Sequence, residues 1–280
     1  MTTDTLPWLW FDGRFLRAGT PAFAAGALAL LPGEGLFETM ACEGGAPQLF
    51  QYHYERIEAS AEALGLRLRH RPRALFDAVV RTLARNRVRE AAARLMLLRG
   101  ARRDAVAILC RRLERPSPGA YRRGAVLAVA PWPRAEGVPI HRHKTLNYWE
   151  CRRAREWARA KGAFDALFLT PGGDILEGSA TNVFCVRRNE LLTPPVAMGL
   201  LPGVMRRFVM AAAREILGLR VQEARLALRD LRQADETFVT NALIGALPIR
   251  RIGGIVLRRT ASVAAAVMRI YDRDARQGGP

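Results

Sequence analysis

Short apolar runs typical of β-strands alternate with segments of helical periodicity along most of this chain, and the alternation indicates layers of mixed α and β structure. The runs RLMLLRG and AVAILC are typical of strands, and ALFLT followed by ILEGS has the pattern of a hairpin. After the turn GGAP we predict a strand over 48–51 and a helix beginning near Tyr54. Further helices are predicted from Trp149 to Lys161 and after Gly203. The fold class is therefore α/β.

A polar stretch near residues 112–124, RRLERPSPGAYRRG, is broken by prolines and glycine and is the best linker candidate. A chain of 280 residues is long enough for two ordinary domains, each with its own core. We therefore predict a smaller N-terminal α/β domain over residues 1–118 and a larger C-terminal α/β domain over residues 119–280.

The composition excludes several classes of protein. Half of the residues are apolar and a quarter are charged, as in globular proteins, and no run of about 18 apolar residues predicts a membrane span. The opening MTTDTLPWLWFDGRF lacks the pattern of a secretory signal, so we expect a cytoplasmic protein. The cysteines form no CxxC pair and the four histidines form no recognisable metal site, which predicts reduced thiols and no metal.

The formal charge of +18 invites comparison with nucleic-acid-binding proteins. The basic residues are spread along the whole chain and do not form one stripe, and only Lys144 and Lys161 among the 44 are lysines. This skew indicates a general preference for arginine, so nucleic-acid binding is a remote alternative. The scarcity of lysine also leaves two candidates for any chemistry that requires a lysine.

The two lysines lie in different surroundings. Lys161 precedes Gly162 at the end of a predicted helix, where a lysine complements the helix dipole and stays in solvent. Lys144, in HRHKTLNYW, follows three basic residues whose like charge would lower its pKa and supply the neutral amine that Schiff-base chemistry requires. A lone lysine in a loop is also commonly a surface cation, so the motif alone leaves both interpretations open.

Four further motifs carry groups suited to a charged ligand. Glu177, in GGDILEGSATNVF, is either a solvated turn carboxylate or a carboxylate held against a protonated ring nitrogen. The segment LLPGVMRRF starts a helix whose free N–H groups would attract an anion. Arg56, in HYERIE, is either a surface charge or a bidentate phosphate partner. The small residues around Thr240–Ala242 would let the backbone approach a ligand closely.

The order and spacing of GEGLFETM, HYERIE, LLRG, HKTLNY, EGSATN, LLPGVMR and TNALIGALP resemble those of the class IV aminotransferases, the fold-type IV pyridoxal-phosphate enzymes. The resemblance extends from about residue 8 to residue 255, and its most specific mark is EGS-x-x-N about thirty residues after a lysine. The family contains branched-chain aminotransferases, D-amino-acid aminotransferases and 4-amino-4-deoxychorismate lyases. It implies the two-domain fold of D-amino-acid aminotransferase.

The resemblance implies pyridoxal 5'-phosphate as the cofactor and suggests which residues contact it. Lys144 matches the lysine that binds the cofactor covalently, and Glu177 matches the glutamate that pairs with the pyridine nitrogen. Arg56 matches the arginine on the phosphate, and Val204 and Met205 match backbone N–H donors to that phosphate.

Four other positions have implied roles. Ala242 falls where several aminotransferases place a phosphate-binding threonine, so only its backbone could serve. Tyr148 matches a tyrosine that bonds the phenolic oxygen of the cofactor. Arg99 matches an arginine that meets a substrate carboxylate in some members, and Asn241 is assigned to substrate binding.

The resemblance also implies an arrangement. The larger domain would carry Lys144 and most of the cofactor site, with the cofactor in the cleft between the domains. A homodimer is expected, in which the partner subunit helps to close the site around a small amino-acid substrate.

Two reactions stay open at this point. The string NALIGALPIRRIGG after Thr240 is similar to the lyase pattern N-A/S-L-x-G/P-x-x-P-V, whereas aminotransferases more often carry a string like G/S-T-A-A-E. EGSATN is closer to the aminotransferase motif, and Tyr148 lies where some lyases carry a basic residue. We expect a 4-amino-4-deoxychorismate lyase of folate biosynthesis that forms 4-aminobenzoate and pyruvate. The alternative is a branched-chain or D-amino-acid aminotransferase, and the remote alternative is a non-catalytic basic protein that binds nucleic acid.

Overall fold

The chain divides into two compact units in a computed structural model that describes residues 5–18, 33–100, 102–258, 260 and 262–275. The first unit comprises Met1–Glu114, Lys144–Asn147 and Asp274–Pro280, and the second comprises Arg115–His143 and Tyr148–Arg273. Each unit combines helices with a β-sheet, which confirms the mixed α/β fold class. Among the described helices, none has both the length and the apolar character needed to cross a membrane.

In the part of the first unit that the structure describes there are six strands and two helices. The strands are β1 (Trp8–Phe11), β2 (Arg14–Arg17), β3 (Gly35–Glu43), β4 (Ala46–Pro47), β5 (Ala91–Leu98) and β6 (Ala105–Arg111). They form one antiparallel sheet in the order β2-β1-β6-β5-β3-β4. The helices α1 (Phe50–Ala63) and α2 (Pro72–Arg85) follow β4 and pack on the sheet.

Helix α1 begins earlier than the sequence predicts. Gln51 lies within α1, so the strand predicted over 48–51 is wrong, and the observed strand is confined to β4. The chain turns into the helix at Leu49, whose φ of 51° is left-handed. Phe50, Tyr54 and Ile57 then lie on one buried helical face, and burial of that face against the core outweighs the short strand pattern.

The second unit contains nine strands and five helices among the described residues. The strands are β7 (Ala125–Val129), β8 (Asp165–Leu169), β9 (Ile175–Gly178), β10 (Asn182–Arg187), β11 (Glu190–Thr193), β12 (Arg220–Glu223), β13 (Glu236–Asn241), β14 (Gly245–Ile252) and β15 (Ile255–Val256). The helices are α3 (Pro118–Arg123), α4 (Trp149–Ala160), α5 (Val204–Glu215), α6 (Leu228–Gln233) and α7 (Ser262–Ala275).

The sheet of the second unit is mixed. Its strand order is β12-β11-β10-β13-β14-β7-β8-β9, with β15 added on β14. Strands β14, β7 and β8 are parallel neighbours, and β11 is parallel to β12, whereas the other pairs are antiparallel. Side chains alternate along β8, so that Leu167 joins one apolar cluster and Ala166 and Phe168 join another. The sheet is therefore buried on both faces at β8.

Residues Lys144–Asn147 pack with the first unit, although the sequence predicted Lys144 in the C-terminal domain. The N–H of Phe37 donates to the carbonyl of Lys144 at 2.9 Å, and the N–H of Leu146 donates to the carbonyl of Gly35 at 3.0 Å. Through these bonds the segment around Thr145 pairs alongside β3 as a short antiparallel partner. The position of Lys144 is therefore set by a strand more than a hundred residues earlier in the chain.

Replacing Gly35 with alanine tests this pairing. A Cβ atom at residue 35 would lie 2.7 Å from the carbonyl oxygen of Leu97 and 2.7 Å from Cδ1 of Leu146, so backbone must move. We expect Gly35→Ala to lower the free energy of unfolding by about 1–3 kcal/mol in urea titrations. Gly254→Ala is the matched control, because a Cβ there meets no atom within 4 Å, and its effect should stay within about 0.5 kcal/mol. Equal effects of the two substitutions would contradict the close approach at Gly35.

Candidate functional site

Strand β3 presents the amine of Lys144 against an aromatic ring. Nζ of Lys144 lies 4.3 Å from the ring centroid of Phe37, within the range of a cation–π contact. The guanidinium of Arg94 lies 5.0 Å from the centroid of the same ring. Phe37 is buried, and its backbone bonds to Lys144, so the ring and the lysine are held by the same stretch of strand.

The next residue of β3, Glu38, forms a buried ion-pair cluster with helix α1. Nε and Nη2 of Arg56 donate to the two carboxylate oxygens of Glu38 at 2.8 and 2.6 Å, a bidentate arrangement. Nδ1 of His53 lies 2.6 Å from the same carboxylate and must donate to it, because an ionised carboxylate only accepts. Arg56 is therefore oriented by a partner on the strand that also holds Lys144.

Electrostatics keep this cluster in a defined protonation state. Burial alone would raise the pKa of Glu38, but Arg56 and His53 outweigh it and lower that pKa to about 2. Burial lowers the pKa of His53, and the charges of Arg56 and Lys144 act in the same direction against the attraction of Glu38. Glu38 is therefore ionised beside a neutral His53 at physiological pH, and the guanidinium of Arg56 supplies the matching positive charge.

Arg99 lies in the first unit with its guanidinium already engaged. It forms an ion pair of 2.6 Å with Glu34 through Nε, and Nη2 donates to the carbonyls of Leu64 and Gly65 at the end of α1. The side chain of Glu34 is 45% exposed.

In the second unit, Glu177 is the residue before the last one of strand β9, and both oxygens of its carboxylate accept hydrogen bonds. Nη1 of Arg134 donates to Oε1 at 3.0 Å, and the N–H of Leu201 donates to Oε2 at 3.1 Å. Nδ2 of Asn182 approaches Oε2 at 3.5 Å and donates to the carbonyl of Leu201 at 3.0 Å. The peptide before helix α5 is thus clamped between Glu177 and Asn182.

The turn over residues 177–182 is organised by the buried carboxylate of Asp165. This carboxylate accepts bonds from the hydroxyl of Ser179, from the N–H of Ala180 at 3.2 Å and from the hydroxyl of Thr181 at 2.9 Å. A Cβ at Gly178 would collide with Thr181 and lie 2.7 Å from Asp165, so only glycine fits. The motif EGSATN is therefore a compact turn wrapped around an acidic side chain.

Helix α5 begins immediately after the clamped peptide. Its N-cap is Gly203, and a side chain there would collide with Asn182. No side chain caps the first turn, and that turn contains no acidic residue. The backbone N–H groups of Val204 and Met205 at this end can therefore bind an anion.

Asn241 and Tyr148 both bond to the 177–182 turn. Nδ2 of Asn241 donates to the carbonyl of Ala180 at 3.0 Å, while Oδ1 accepts from the N–H groups of Leu243 and Ile244. The hydroxyl of Tyr148 donates to the carbonyl of Ser179 at 2.9 Å, and burial raises its pKa. Ala242 lies between Asn241 and Leu243 in the turn after β13, and it offers only backbone polar groups.

The candidate residues thus form two groups, one in each unit. Strand β3 holds Lys144 and Arg56, whereas the 177–182 turn holds Glu177, Tyr148, Asn241 and the start of α5. Sequence reasoning missed four buried partners of these groups: Glu38, His53, Arg134 and Asp165. An acidic residue within an apolar run, as in LFETM and FDALFL, could have indicated Glu38 and Asp165, but Arg134 has no local signal.

The chain is similar to known proteins along most of its length. The family model for amino-transferase class IV matches residues 35–252. A Methanocaldococcus jannaschii protein named "Putative branched-chain-amino-acid aminotransferase" is 29% identical over 259 residues, with 89% of each chain covered. The aminodeoxychorismate lyase of Bacillus subtilis is 26% identical over 256 residues, with 87% of this chain and 86% of the relative covered. The solved branched-chain aminotransferase from Thermoproteus uzoniensis with norvaline matches with a TM-score of 0.85 at 27% identity, covering 98% of this chain and 97% of that one.

The pH dependence of stability tests the Glu38 cluster. Because the pKa of Glu38 falls from 4.5 to about 2 on folding, its ionised form stabilises the folded state above pH 4.5, and this stabilisation is lost as the pH falls toward 2. The excess unfolding free energy of wild type over Glu38→Gln should therefore shrink by about 1 kcal/mol between about pH 5 and pH 3.5 in urea titrations.

The exposed Glu62 on the same helix supplies the control for this titration. The difference between wild type and Glu62→Gln should change little over that pH interval. If the excess for Glu38→Gln stays constant or grows at lower pH, the ion-pair account of Glu38 is incorrect.

Proposed function

The chain belongs to the class IV aminotransferase family, whose members are pyridoxal-phosphate-dependent enzymes, and we propose that within this family it is a 4-amino-4-deoxychorismate lyase that forms 4-aminobenzoate and pyruvate. A class IV aminotransferase is the second candidate. A non-catalytic nucleic-acid-binding protein has no place in the proposal, because the members of the family are enzymes.

The candidate residues in each unit carry groups that suit a part of pyridoxal phosphate. A phosphate needs cationic and N–H donors, and Arg56 and the first turn of α5 at Val204 and Met205 offer them. A pyridine nitrogen that carries a proton needs a buried ionised acceptor, and Glu177 offers a carboxylate that already accepts from Arg134. An aldehyde needs an amine, which Lys144 supplies.

When bound, pyridoxal phosphate supplies an electron sink for the electron pair left at the substrate α-carbon. In our proposal Lys144 binds the cofactor covalently, accepts the α-proton as general base when its amine is released, and returns a proton as general acid. Glu177 holds a proton at the ring nitrogen. In the lyase reaction the bond between the ring carbon and the enolpyruvyl oxygen would then break, the electron pair left by the α-proton would complete the aromatic ring, and the departing enolpyruvate would take up a proton to become pyruvate.

The lyase proposal is carried by the hydrogen bonds of Asn241, the first residue of the lyase-like string NALIGALPIRRIGG. The side-chain amide of Asn241 joins the turn after β13 to Ala180, two residues beyond Gly178 in the turn that carries Glu177. Ala242 lacks the hydroxyl that several aminotransferases place there. These contacts support a role for the lyase-like residues in the site, and the similarity to the Bacillus subtilis lyase supports the same interpretation.

The aminotransferase candidate has support of its own. The Glu177-Gly178-Ser179 sequence and the tyrosine at position 148 favour the aminotransferase, and two of the three similar proteins described above are named branched-chain aminotransferases. A hydrogen bond from Tyr148 to the phenolic oxygen of the cofactor would require its hydroxyl to leave Ser179. The two candidates share the cofactor, Lys144 and Glu177 and differ only after α-deprotonation.

The proposal extends to the substrate and to assembly. Arg99 would meet a substrate carboxylate in place of Glu34, whereas Asn241, whose amide is bonded at both ends, would shape the substrate region through the turn that it holds. A homodimer is proposed on the resemblance to the family alone.

Product analysis separates the two candidates. Purified protein incubated with pyridoxal phosphate and aminodeoxychorismate should release 4-aminobenzoate and pyruvate in equal amounts. In parallel reactions with 2-oxoglutarate and either D-alanine or L-leucine, we expect little glutamate. Glutamate formation without any 4-aminobenzoate would reject the lyase and favour the aminotransferase.

The two lysines of the chain offer a matched pair of variants. Lys144→Ala should abolish the visible absorbance of the bound cofactor and lower turnover by about 10²–10⁴-fold. Lys161→Ala, which removes the exposed lysine at the end of α4, should keep both the absorbance and the turnover. Retention of the visible band by Lys144→Ala would show that the amine is assigned to the wrong residue.

A further inference from the structure

Arg134 is buried at a cost that the proposed function does not yet explain. Its side chain is 3% exposed, and an isolated guanidinium loses several kcal/mol of hydration when it is buried. It lies in the loop after β7, and its backbone N–H donates to the carbonyl of Leu169 at 2.9 Å. Its guanidinium lies 3.6 Å from the ring centroid of Phe168, which fixes the plane of the charge.

The guanidinium contacts three side chains from two elements. Besides Oε1 of Glu177 on β9, it bonds to Oε2 of Glu150 at 3.0 Å and to Sγ of Cys151 at 3.3 Å, both on α4. Burial raises the pKa of Cys151 to about 11 even though Arg134 acts against it, so the thiol is neutral at physiological pH. Arg134 is thus shared between two carboxylates, and only Glu150 is substantially exposed.

Arg134 faces two carboxylates, and two neutral groups lie near Glu177. Glu150 and Glu177 both pair with its guanidinium. Tyr148 and Cys151 are neutral at physiological pH, because burial raises the pKa of each. Arg155 acts to lower the pKa of Tyr148, and burial and the charge of Arg134 both act to lower the pKa of His141. Arg134 contacts the carboxylate of Glu177 directly.

From this geometry we propose that Arg134 is a positioning residue that keeps Glu177 ionised, so that the proton shared with the ring nitrogen of the cofactor stays on the nitrogen. The inference rests on the proposed pairing of Glu177 with that nitrogen. It assigns a role to an arginine that does not itself touch the cofactor in the proposal.

The direction of the effect follows from distance. A hydrogen bond from a guanidinium favours the ionised form of a carboxylate over its acid, and the attraction weakens with separation, so Arg134 acts most strongly on the carboxylate that it touches. Without Arg134, burial would favour the neutral acid form of Glu177, and the uncharged donors Leu201 N–H and Asn182 Nδ2 would oppose it less strongly than a guanidinium does. The proton would then move from the ring nitrogen to the carboxylate, and the ring would lose its capacity as an electron sink.

The position of the proton can be read directly. Wild type and variants are loaded with pyridoxal phosphate labelled with ¹⁵N at the ring nitrogen, and the ¹⁵N chemical shift reports whether that nitrogen is protonated. Arg134→Gln removes the charge and keeps a donor, whereas Arg134→Lys keeps the charge and loses the planar fork. The control is Arg153→Met, because Arg153 pairs with Glu156 on the exposed side of α4.

We expect the wild-type and Arg153→Met resonances to lie in the protonated range. Arg134→Gln should move the resonance toward that of the unprotonated ring and weaken cofactor binding about tenfold, the change that corresponds to one pKa unit. Arg134→Lys should keep the protonated shift. If Arg134→Gln does not fold, Arg134→Lys still decides the matter, because an unprotonated ring in that variant would overturn a role based on charge.

The variant Glu177→Gln separates failure of this inference from failure of the proposed function. If the wild type binds no cofactor, or if Glu177→Gln leaves the ¹⁵N shift unchanged, the proposed pairing itself fails. If Glu177→Gln moves the shift but a folded Arg134→Gln does not, only the role of Arg134 is overturned.

Discussion

Strand β3 pairs with the backbone of Lys144 and Leu146, and the chemistry of the first unit depends on that pairing. The two bonds place Lys144 against the ring of Phe37. The other lysine of the chain, Lys161, lies at the end of α4. Glu38, the residue after Phe37, forms an ion pair with Arg56. Gly35, Phe37 and Glu38 of one strand thus position both an amine and a guanidinium. Strand β3 lies between β4 and β5 and faces a buried core. The packing of the sheet therefore holds these side chains in position.

The second unit achieves the same result with a turn. Asp165 fills the turn over residues 177–182, and the backbone and side chains of that turn then hold Tyr148, Asn241 and the peptide before α5. The cost of burying Asp165 is offset by donors from three consecutive residues. A buried acidic side chain therefore organises each group of candidate residues, Glu38 in one unit and Asp165 in the other.

Local patterns were sufficient for much of the fold. The periodicity and Gly162 predicted a helix from Trp149 to Lys161, and α4 ends one residue earlier, at Ala160. Pro-Gly before an apolar helical pattern predicted the start of α5. The start of α1 was missed because the left-handed turn at Leu49 has no signature in a residue type that rarely adopts it.

Contacts between distant segments were not accessible in the same way. The motif around Lys144 gave no sign that its backbone pairs with β3, because strand pairing at long sequence separation depends on the whole core. Arg134 is one of many arginines, and only the folded chain distinguishes a buried partner of Glu177 from a surface charge. The family resemblance identified the groups that meet the cofactor in relatives, whereas the groups that hold them in position emerged from the structure.

The central claim is that Lys144 carries pyridoxal phosphate, and the most direct measurement is chemical trapping. The cofactor-loaded protein is reduced with borohydride, digested, and searched by mass spectrometry for a lysine that bears the phosphopyridoxyl group. The account predicts the group on Lys144 and an unmodified Lys161. A phosphopyridoxyl group on Lys161 alone, or a loaded protein with neither lysine modified, would contradict it.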